Sequence, residues 1–471
     1  MSSISDMQVV TPVEPLRLPR FKSRQSPDGA NPPRTLPSYP GQFLVEIARN
    51  PLGMMVSMNR QHGDISHWRI ATQDLYLFSH PDLIREVLVT NQKNFHKSRG
   101  LERARRLLGN GLLTSEEDFH LRQRRLAQPA FHRQRIAAYA TVMGEFADRT
   151  MKRWADGQTV NIHTEMMRLT LGIVARTLFD ADVDEEAREI GDALTHAFES
   201  FNLAMLPFTE VLEKLPLPAV RRFNNARNTL DRIIYGMIEE RRKSDEDRGD
   251  LLSMLLLATD TEGDGSAMSD TQLRDEALTI FLAGHETTAN ALTWTWYLLS
   301  QHPDVEAKLH REIDSVLDGR APSFDDMTSL PYTRQVASES MRLYPPAWAV
   351  GRRALNEFRV RDFLIPANSV VIMSQYIVHR DPRFFDDPER FDPERWTPER
   401  QASRPKFAYF PFGGGTRVCI GEQFAWMEVI LLIAAIAQRW RITLAPDQRV
   451  AVKPLITLRP TGGMEMIVEQ R

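Results

Sequence analysis

A mainly α-helical body carrying small β-sheets is the architecture this sequence predicts, and three observations lead there. From residue 119 to about 317 nearly every segment repeats its apolar residues at helical spacing. Strand-like, β-branched runs are confined to the flanks of that region. No Ser/Gly-rich or Pro-rich internal linker and no repeat of solenoid or propeller spacing divides the chain. The 471 residues therefore read as a Pro-rich N-terminal arm over residues 1–40 and a single domain over 41–471.

The elements follow in order. Behind the arm, with its Pro32, Pro33, Pro37 and Pro40, residues 65–70 and 75–79 read as short strands joined by Ala71, Thr72 and Gln73, and a helix opens at Pro81. The helical middle is interrupted at Pro207, at Pro216 to Pro218 and by the polar run 241–250. Within it one long helix has clear limits: Ser269 with Gln272 three residues on forms a capping-box pattern, and Pro303 stops the apolar periodicity. The stretch 350–373 turns strand-like, a coil rich in Pro, Asp and Arg follows, a last helix succeeds Cys419, and residues 456–468 end in strands.

Composition excludes several functions. The 59 basic and 62 acidic residues nearly cancel, so no global field recruits nucleic acid or an anionic membrane. Neither a signal peptide nor the roughly 20 apolar residues of a membrane span occurs, the longest apolar run being 429–437. A cytoplasmic, unanchored monomer is expected. The single cysteine rules out an internal disulfide, an all-cysteine zinc site and the Cys-x-x-Cys-His attachment of a covalent heme.

Four groups of residues carry chemistry. The segment Phe412, Gly413, Gly414, Gly415, Thr416, Arg417, Val418, Cys419, Ile420, Gly421 puts a thiol at the start of a helix behind a glycine-rich turn. Backbone N–H groups there stabilise a thiolate, and neither phosphate-loop pattern fits these residues. In the long helix Ala283, Gly284, His285, Glu286, Thr287 and Thr288 interrupt an apolar pattern, and burying them needs a reason. A threonine hydroxyl bonding a preceding carbonyl beside Gly284 predicts a bulge able to hold a small molecule. Glu339 and Arg342 lie three apart on one helix face. His120 and Arg124 lie one helical turn apart, with Arg122 and Arg125 beside them.

Phe412, Gly415, Arg417, Cys419 and Gly421 match the Phe-x-x-Gly-x-Arg-x-Cys-x-Gly signature, and on this the chain resembles the cytochrome P-450 superfamily. The resemblance implies that superfamily's fold, non-covalent heme b, and Cys419 as the axial thiolate on iron. Ala283 to Thr287 resembles the acid-alcohol motif, which implies that Thr287 donates a hydrogen bond and Glu286 feeds protons during oxygen activation, with Ala283 lining the cofactor. Glu339 and Arg342, with Arg395 from the Phe391 to Trp396 segment, are implied to form a buried structural network. His120, Arg124, Arg352 and Arg417 are implied to hold the heme propionates, which need cationic partners.

The implied activity is monooxygenation: one oxygen atom from O2 enters a lipophilic small molecule, a fatty acid, terpenoid or steroid-like compound. The walls expected are Phe198, Phe201, Leu206 and Phe281, with Ala347, Trp348 and Val350 after the double proline. The chain ends soon after its last strands, so a separate ferredoxin or flavodoxin is expected to deliver electrons, docking on arginines near position 125, namely Arg122, Arg125 and Arg133. A heme-thiolate peroxygenase or isomerase has little use for an acid-alcohol pair, a heme sensor would need an effector module, and a heme-free helical binder would make all four motifs accidental.

Overall fold

A computed structural model describes residues 12–25, 31–180, 193, 218–244, 248–260, 265 and 267–471. The first two helices are α1 (Gln42–Arg49) and α2 (Pro51–His62), followed after a hairpin over residues 65–78 by α3 (Pro81–Arg85), α4 (Arg99–Leu108), α5 (Glu117–Ala127), α6 (Arg133–Met151), α7 (Ile162–Phe179) and α8 (Pro218–Ser244). The later helices that build the site are the long α9 (Asp270–Gln301), α10 (Pro331–Leu343) and α11 (Glu422–Ala437).

A seven-stranded mixed sheet flanks these helices. Its strands are β1 (Lys22–Arg24), β2 (Arg34–Leu36), β3 (Ile65–Ile70), β4 (Gln73–Phe78), β5 (Phe95–Lys97), β6 (Val350–Ala354) and β7 (Val370–Met373), in the order β1-β2-β3-β4-β7-β6-β5. The first two come from the Pro-rich arm, which thereby extends the sheet edge. β4 and β7 run parallel with Val370 opposite Leu75, whereas β7 and β6 are antiparallel with Val370 opposite Arg353.

The limits of α9 are those its sequence dictates. The Ser269 hydroxyl accepts the Gln272 N–H at 3.3 Å and the Gln272 side chain accepts the Ser269 N–H at 2.9 Å, which satisfies two donors a helix start leaves open. Thirty-two residues make a rod of about 48 Å. It is buried on nearly every side, as a helix through the middle of a large body must be. At Gly284 a Cβ would come within 3.0 Å of Val174 on α7. The glycine permits close helix packing here, and the expected bulge is absent: α9 runs as an uninterrupted α-helix. The apolar run 429–437 is the fully buried face of α11.

One buried ion cluster ties these layers to the cysteine loop. Glu339 on α10 is wholly buried, and Arg342, also wholly buried, meets it through Nε and Nη2 at 2.8 Å each. The remaining guanidinium hydrogens go to the carbonyls of His379 (2.8 Å), Pro388 (2.7 Å) and Arg390 (3.1 Å), so all five donors of an arginine fork are used. Glu339 also accepts from Arg395 Nε (3.1 Å), Trp396 Nε1 (2.9 Å) and the Asp392 N–H (3.0 Å). His379 then accepts the Phe410 N–H on Nε2 at 3.0 Å. A single carboxylate thus pins residues 379–396 and, through His379, the strand of chain entering the cysteine loop.

Removing one member of such a cluster strands buried charge, which costs about 3–5 kcal/mol. Glu339→Ala is expected to lower unfolding free energy by that amount in urea titration. A loss under about 1 kcal/mol, the range of exposed pairs, would contradict the holding role.

Candidate active site

The cysteine loop owes its shape to a backbone constraint. Gly415 has φ +69°, and a Cβ there would fall 1.8 Å from the Leu88 carbonyl oxygen, so only glycine fits this turn. The loop is closed by the Cys419 N–H donating to Phe412 O at 3.0 Å, and Phe412 packs at 5.6 Å from the Trp426 ring of α11. Cys419 lies two residues before Gly421, the N-cap of α11. Its sulfur opens onto an internal chamber of about 1450 Å³. Desolvation pushes the thiol up to about 11, while the Gly421 N–H and the Arg124 charge pull the other way. An iron ion at that sulfur would hold it deprotonated.

α9 forms another wall of the chamber. Ala283 and Thr287, one turn apart, face into it, while His285 is buried against Phe281. The Thr287 hydroxyl donates to Ala283 O at 2.8 Å, which leaves its oxygen open as an acceptor toward the chamber. Glu286 is 1% exposed and is held from outside α9: Oε1 accepts from Arg459 Nε at 2.6 Å and from the Thr457 hydroxyl. Its Oε2 has no partner. Thr457 and Arg459 belong to a hairpin of β8 (Val452–Pro454) and β9 (Leu458–Pro460), which is fastened to α9 by Asn290 Nδ2 on Thr457 Oγ1 (3.0 Å) and Trp294 Nε1 on Leu458 O (2.9 Å). The sequence reading missed both residues. Their one signal is spacing, two apart in an extended stretch and so on one face.

At the edge of the chamber positive charge accumulates without an adequate counterion. Lys97 on β5 stands directly opposite Arg352 on β6, an arrangement of like charges that destabilises a strand pair, and both are buried. Arg417 joins them, paired with Glu116, and Arg124 donates to Val418 O at 2.8 Å. His120 gives Nδ1 to Leu112 O at 3.1 Å, and its buried Nε2 has no partner. Burial first, then Arg417, lowers Lys97 to about 6. Burial, then Lys97, Arg417 and Arg124, lowers His120 to about 3. Four basic side chains and an imidazole around one carboxylate form a receptor for a ligand bearing acid groups. The heme implied by the signature fits: its iron would meet Cys419, and its two propionates would meet Lys97, His120, Arg124, Arg352 and Arg417. Lys97 and Glu116 carried no motif and were not among the expected residues.

The expected substrate walls divide three ways. Ala347, Trp348 and Val350 line the chamber, and Trp348 is fixed by Nε1 on Leu455 O at 2.8 Å. Phe281 does not: it packs edge-on to Phe179 of α7 at 5.5 Å, buried in the core on the other side of α9. Phe198, Phe201 and Leu206 lie outside the described residues. The arginines expected to be open for a partner are also corrected. Asp260 pairs with Arg122 Nε at 3.3 Å and with Arg125 Nη2 at 3.2 Å, because a buried carboxylate recruits the nearest cations. The Arg133 side chain lies outside the described residues.

Comparison with known proteins is consistent along the chain. The family model described as Cytochrome P450 matches residues 31–464. Cyclooctatin synthase of Streptomyces melanosporofaciens is 42% identical over 90% of this chain and 92% of its own length. Cyclooctat-9-en-7-ol 5-monooxygenase of the same organism is 40% identical over 85% and 87%, and pentalenene oxygenase of Streptomyces avermitilis is 38% identical over 88% and 91%. Among solved structures, retinoic acid-bound cyanobacterial CYP120A1 superposes with a TM-score of 0.81 at 25% identity, covering 90% of this chain and 95% of that one. The cytochrome P450DA heme domain gives 0.80 at 29%, covering 88% and 91%. Among the described residues no helix is long and apolar enough to cross a membrane.

Above about pH 6 Lys97 must take up a proton to offer an ammonium to an anion, so its contribution to binding is complete below that pH and fades as pH rises. In absorbance titrations with hemin, the affinity advantage of the wild-type apoprotein over Lys97→Met is expected to be largest near about pH 6 and to shrink by about pH 9. An advantage that does not change with pH would contradict this assignment.

Proposed function

This chain belongs to the cytochrome P450 family, and on that premise we propose that it inserts one oxygen atom of O2 into a terpenoid-like substrate, using electrons from a separate ferredoxin or flavodoxin. Family membership makes it a heme-thiolate monooxygenase. The observation carrying the proposal is that Cys419, the polar turn at Ala283 and Thr287, and the buried cations all open onto one largely apolar chamber. Heme b, which this reading takes as non-covalent since the chain has no Cys-x-x-Cys-His attachment, would supply the oxygen chemistry when bound.

The chain's own residues then divide the work. Cys419 would supply the thiolate to the heme iron. The cations would anchor the propionates, and Leu107, Leu282, Ala347 and Trp348 exclude water around the substrate. The Thr287 oxygen, open to the chamber, accepts a hydrogen bond there, and Glu286, held at Oε1 by Arg459 with Oε2 left without a partner, is the adjacent acid that handles protons. Among the three lipophilic classes, terpenoids are favoured: relatives 38–40% identical are named for pentalenene and cyclooctat-9-en-7-ol, names that denote an alkene and an unsaturated alcohol.

A separate electron donor is part of this reading, supported by the one cysteine, which leaves these 471 residues unable to hold an iron–sulfur cluster of their own. With Arg122 and Arg125 engaged by Asp260, the docking surface is not assigned to them. Reduction rates that ignore ionic strength would argue against an acidic donor.

The test is the absorption spectrum of the reduced protein under carbon monoxide, beside Cys419→Ser. A strongly red-shifted Soret band, lost in the variant, is expected. A band of histidine ligation, or no heme uptake, would overturn the reading. Spectral titration of the ferric protein with cyclic terpenes, long-chain fatty acids and sterols should show tightest binding in the terpene series, and preference for an acid would replace the substrate class.

A further inference from the structure

The linker between α4 and α5 is bolted to α9 by two adjacent acids. The Asn110 N–H donates to Asp275 Oδ2 at 2.7 Å, and the Leu112 N–H donates to Glu276 Oε2 at 2.9 Å. Contact is so close that a Cβ on Gly111 would fall 2.4 Å from the Thr279 hydroxyl and 2.5 Å from the Asp275 carbonyl oxygen. Asp275 has other duties, pairing with Arg274 at 2.9 Å. Glu276 does not: it is 1% exposed, its Oε1 has no partner, and it does not reach the chamber.

The carbonyl of the same residue, in the next peptide unit, faces the cofactor edge. Leu112 O accepts from Lys97 Nζ at 2.8 Å and from His120 Nδ1 at 3.1 Å, and Lys97 Nζ also reaches Ser115 O at 2.6 Å. A carbonyl only accepts, so His120 carries its proton on Nδ1, and Nε2, on the chamber wall, donates to an acid group only once that group's charge makes it take up a second proton. The orientation of two cofactor-side groups therefore depends on how the backbone of one residue, Leu112, is held. If Leu112 rotated, Lys97 and His120 would both lose this shared acceptor, Lys97 keeping only Ser115 O and His120 only a 3.4 Å contact with Ser115 Oγ.

We propose that Glu276 is a positioning residue for the cofactor, which fixes the backbone of Leu112 from α9 at its N–H and thereby holds the carbonyl that aims Lys97 and His120 at the propionates. The proposal rests on the heme reading of the same site, and it assigns a purpose to a buried carboxyl that no motif explains. Burial pushes Glu276 up to about 7, with Asp275 adding to that and Leu112 and Lys97 opposing it. A neutral amide oxygen can therefore replace its acceptor.

The experiment uses heme-loaded full-length protein. It measures the rate at which heme passes to an acceptor apoprotein and the ferric/ferrous midpoint potential, for wild type, Glu276→Leu, Glu276→Gln, His120→Ala and the double variant Glu276→Leu with His120→Ala. Glu276→Leu is expected to release heme roughly tenfold faster, the scale of lost outer-sphere partners, with a shifted potential, and Glu276→Gln to restore wild-type behaviour. In the His120→Ala background the leucine change should add much less, since coupled residues are non-additive. Should Glu276→Leu not fold, Gly111→Ala, which lifts the linker without touching the carboxyl, is expected to show the same release. Fully additive effects, or normal release and potential in the leucine variant, would overturn the positioning role. A wild-type chain that takes up no heme would instead overturn the functional reading.

Discussion

A carboxylate with no water around it must be matched by donors from the protein itself, and Glu339 is matched by two arginines, an indole and a backbone N–H. An isolated buried charge costs more than a domain's margin of stability allows. The cluster is therefore satisfied as a whole or not formed. Because Arg342 spends its last three hydrogens on the carbonyls of His379, Pro388 and Arg390, satisfying Glu339 also fixes a stretch of chain with little secondary structure of its own. His379 carries that order to Phe410, and the Cys419 N–H closes on Phe412. The position of the single thiol thus depends on an ion cluster elsewhere in the sequence.

The edge of the chamber obeys the opposite rule. There the protein leaves basic groups unmatched, setting Lys97, lowered to about 6, against Arg352 across a strand pair and leaving His120 Nε2 without a partner. Two like charges in a buried sheet edge are unfavourable alone. Acid groups bound there would let both side chains carry charge, which would link cofactor binding to local stability. The two buried clusters, one closed and one open, divide structure from function.

α9 connects them. Its central turn supplies Ala283 and Thr287 to the chamber, its C-terminal half receives the hairpin that clamps Glu286, and its N-terminal half holds the Leu112 peptide. A rod buried along almost its whole length keeps these contacts in fixed relation, as preorganised sites require. The apolar residues from α4, α9 and the segment after Pro346 then close the space around them.

Much of this was determined by local sequence. The ends of α9 follow from Ser269, Gln272 and Pro303, the thiol turn from Gly415 and Cys419, and the shared face of His120 and Arg124 from one-turn spacing, because each depends on neighbours within a few residues. Glu339 and Arg342 were visible as a pair for the same reason. Tertiary structure alone decided the rest. Phe281 satisfied the apolar pattern, yet α7 rather than periodicity chose the side on which it packs. Asp260 claimed Arg122 and Arg125, Arg459 claimed Glu286, and Lys97 came to face Arg352. These pairings join residues far apart in the chain, and charge attraction carries no spacing rule by which sequence could announce its partner.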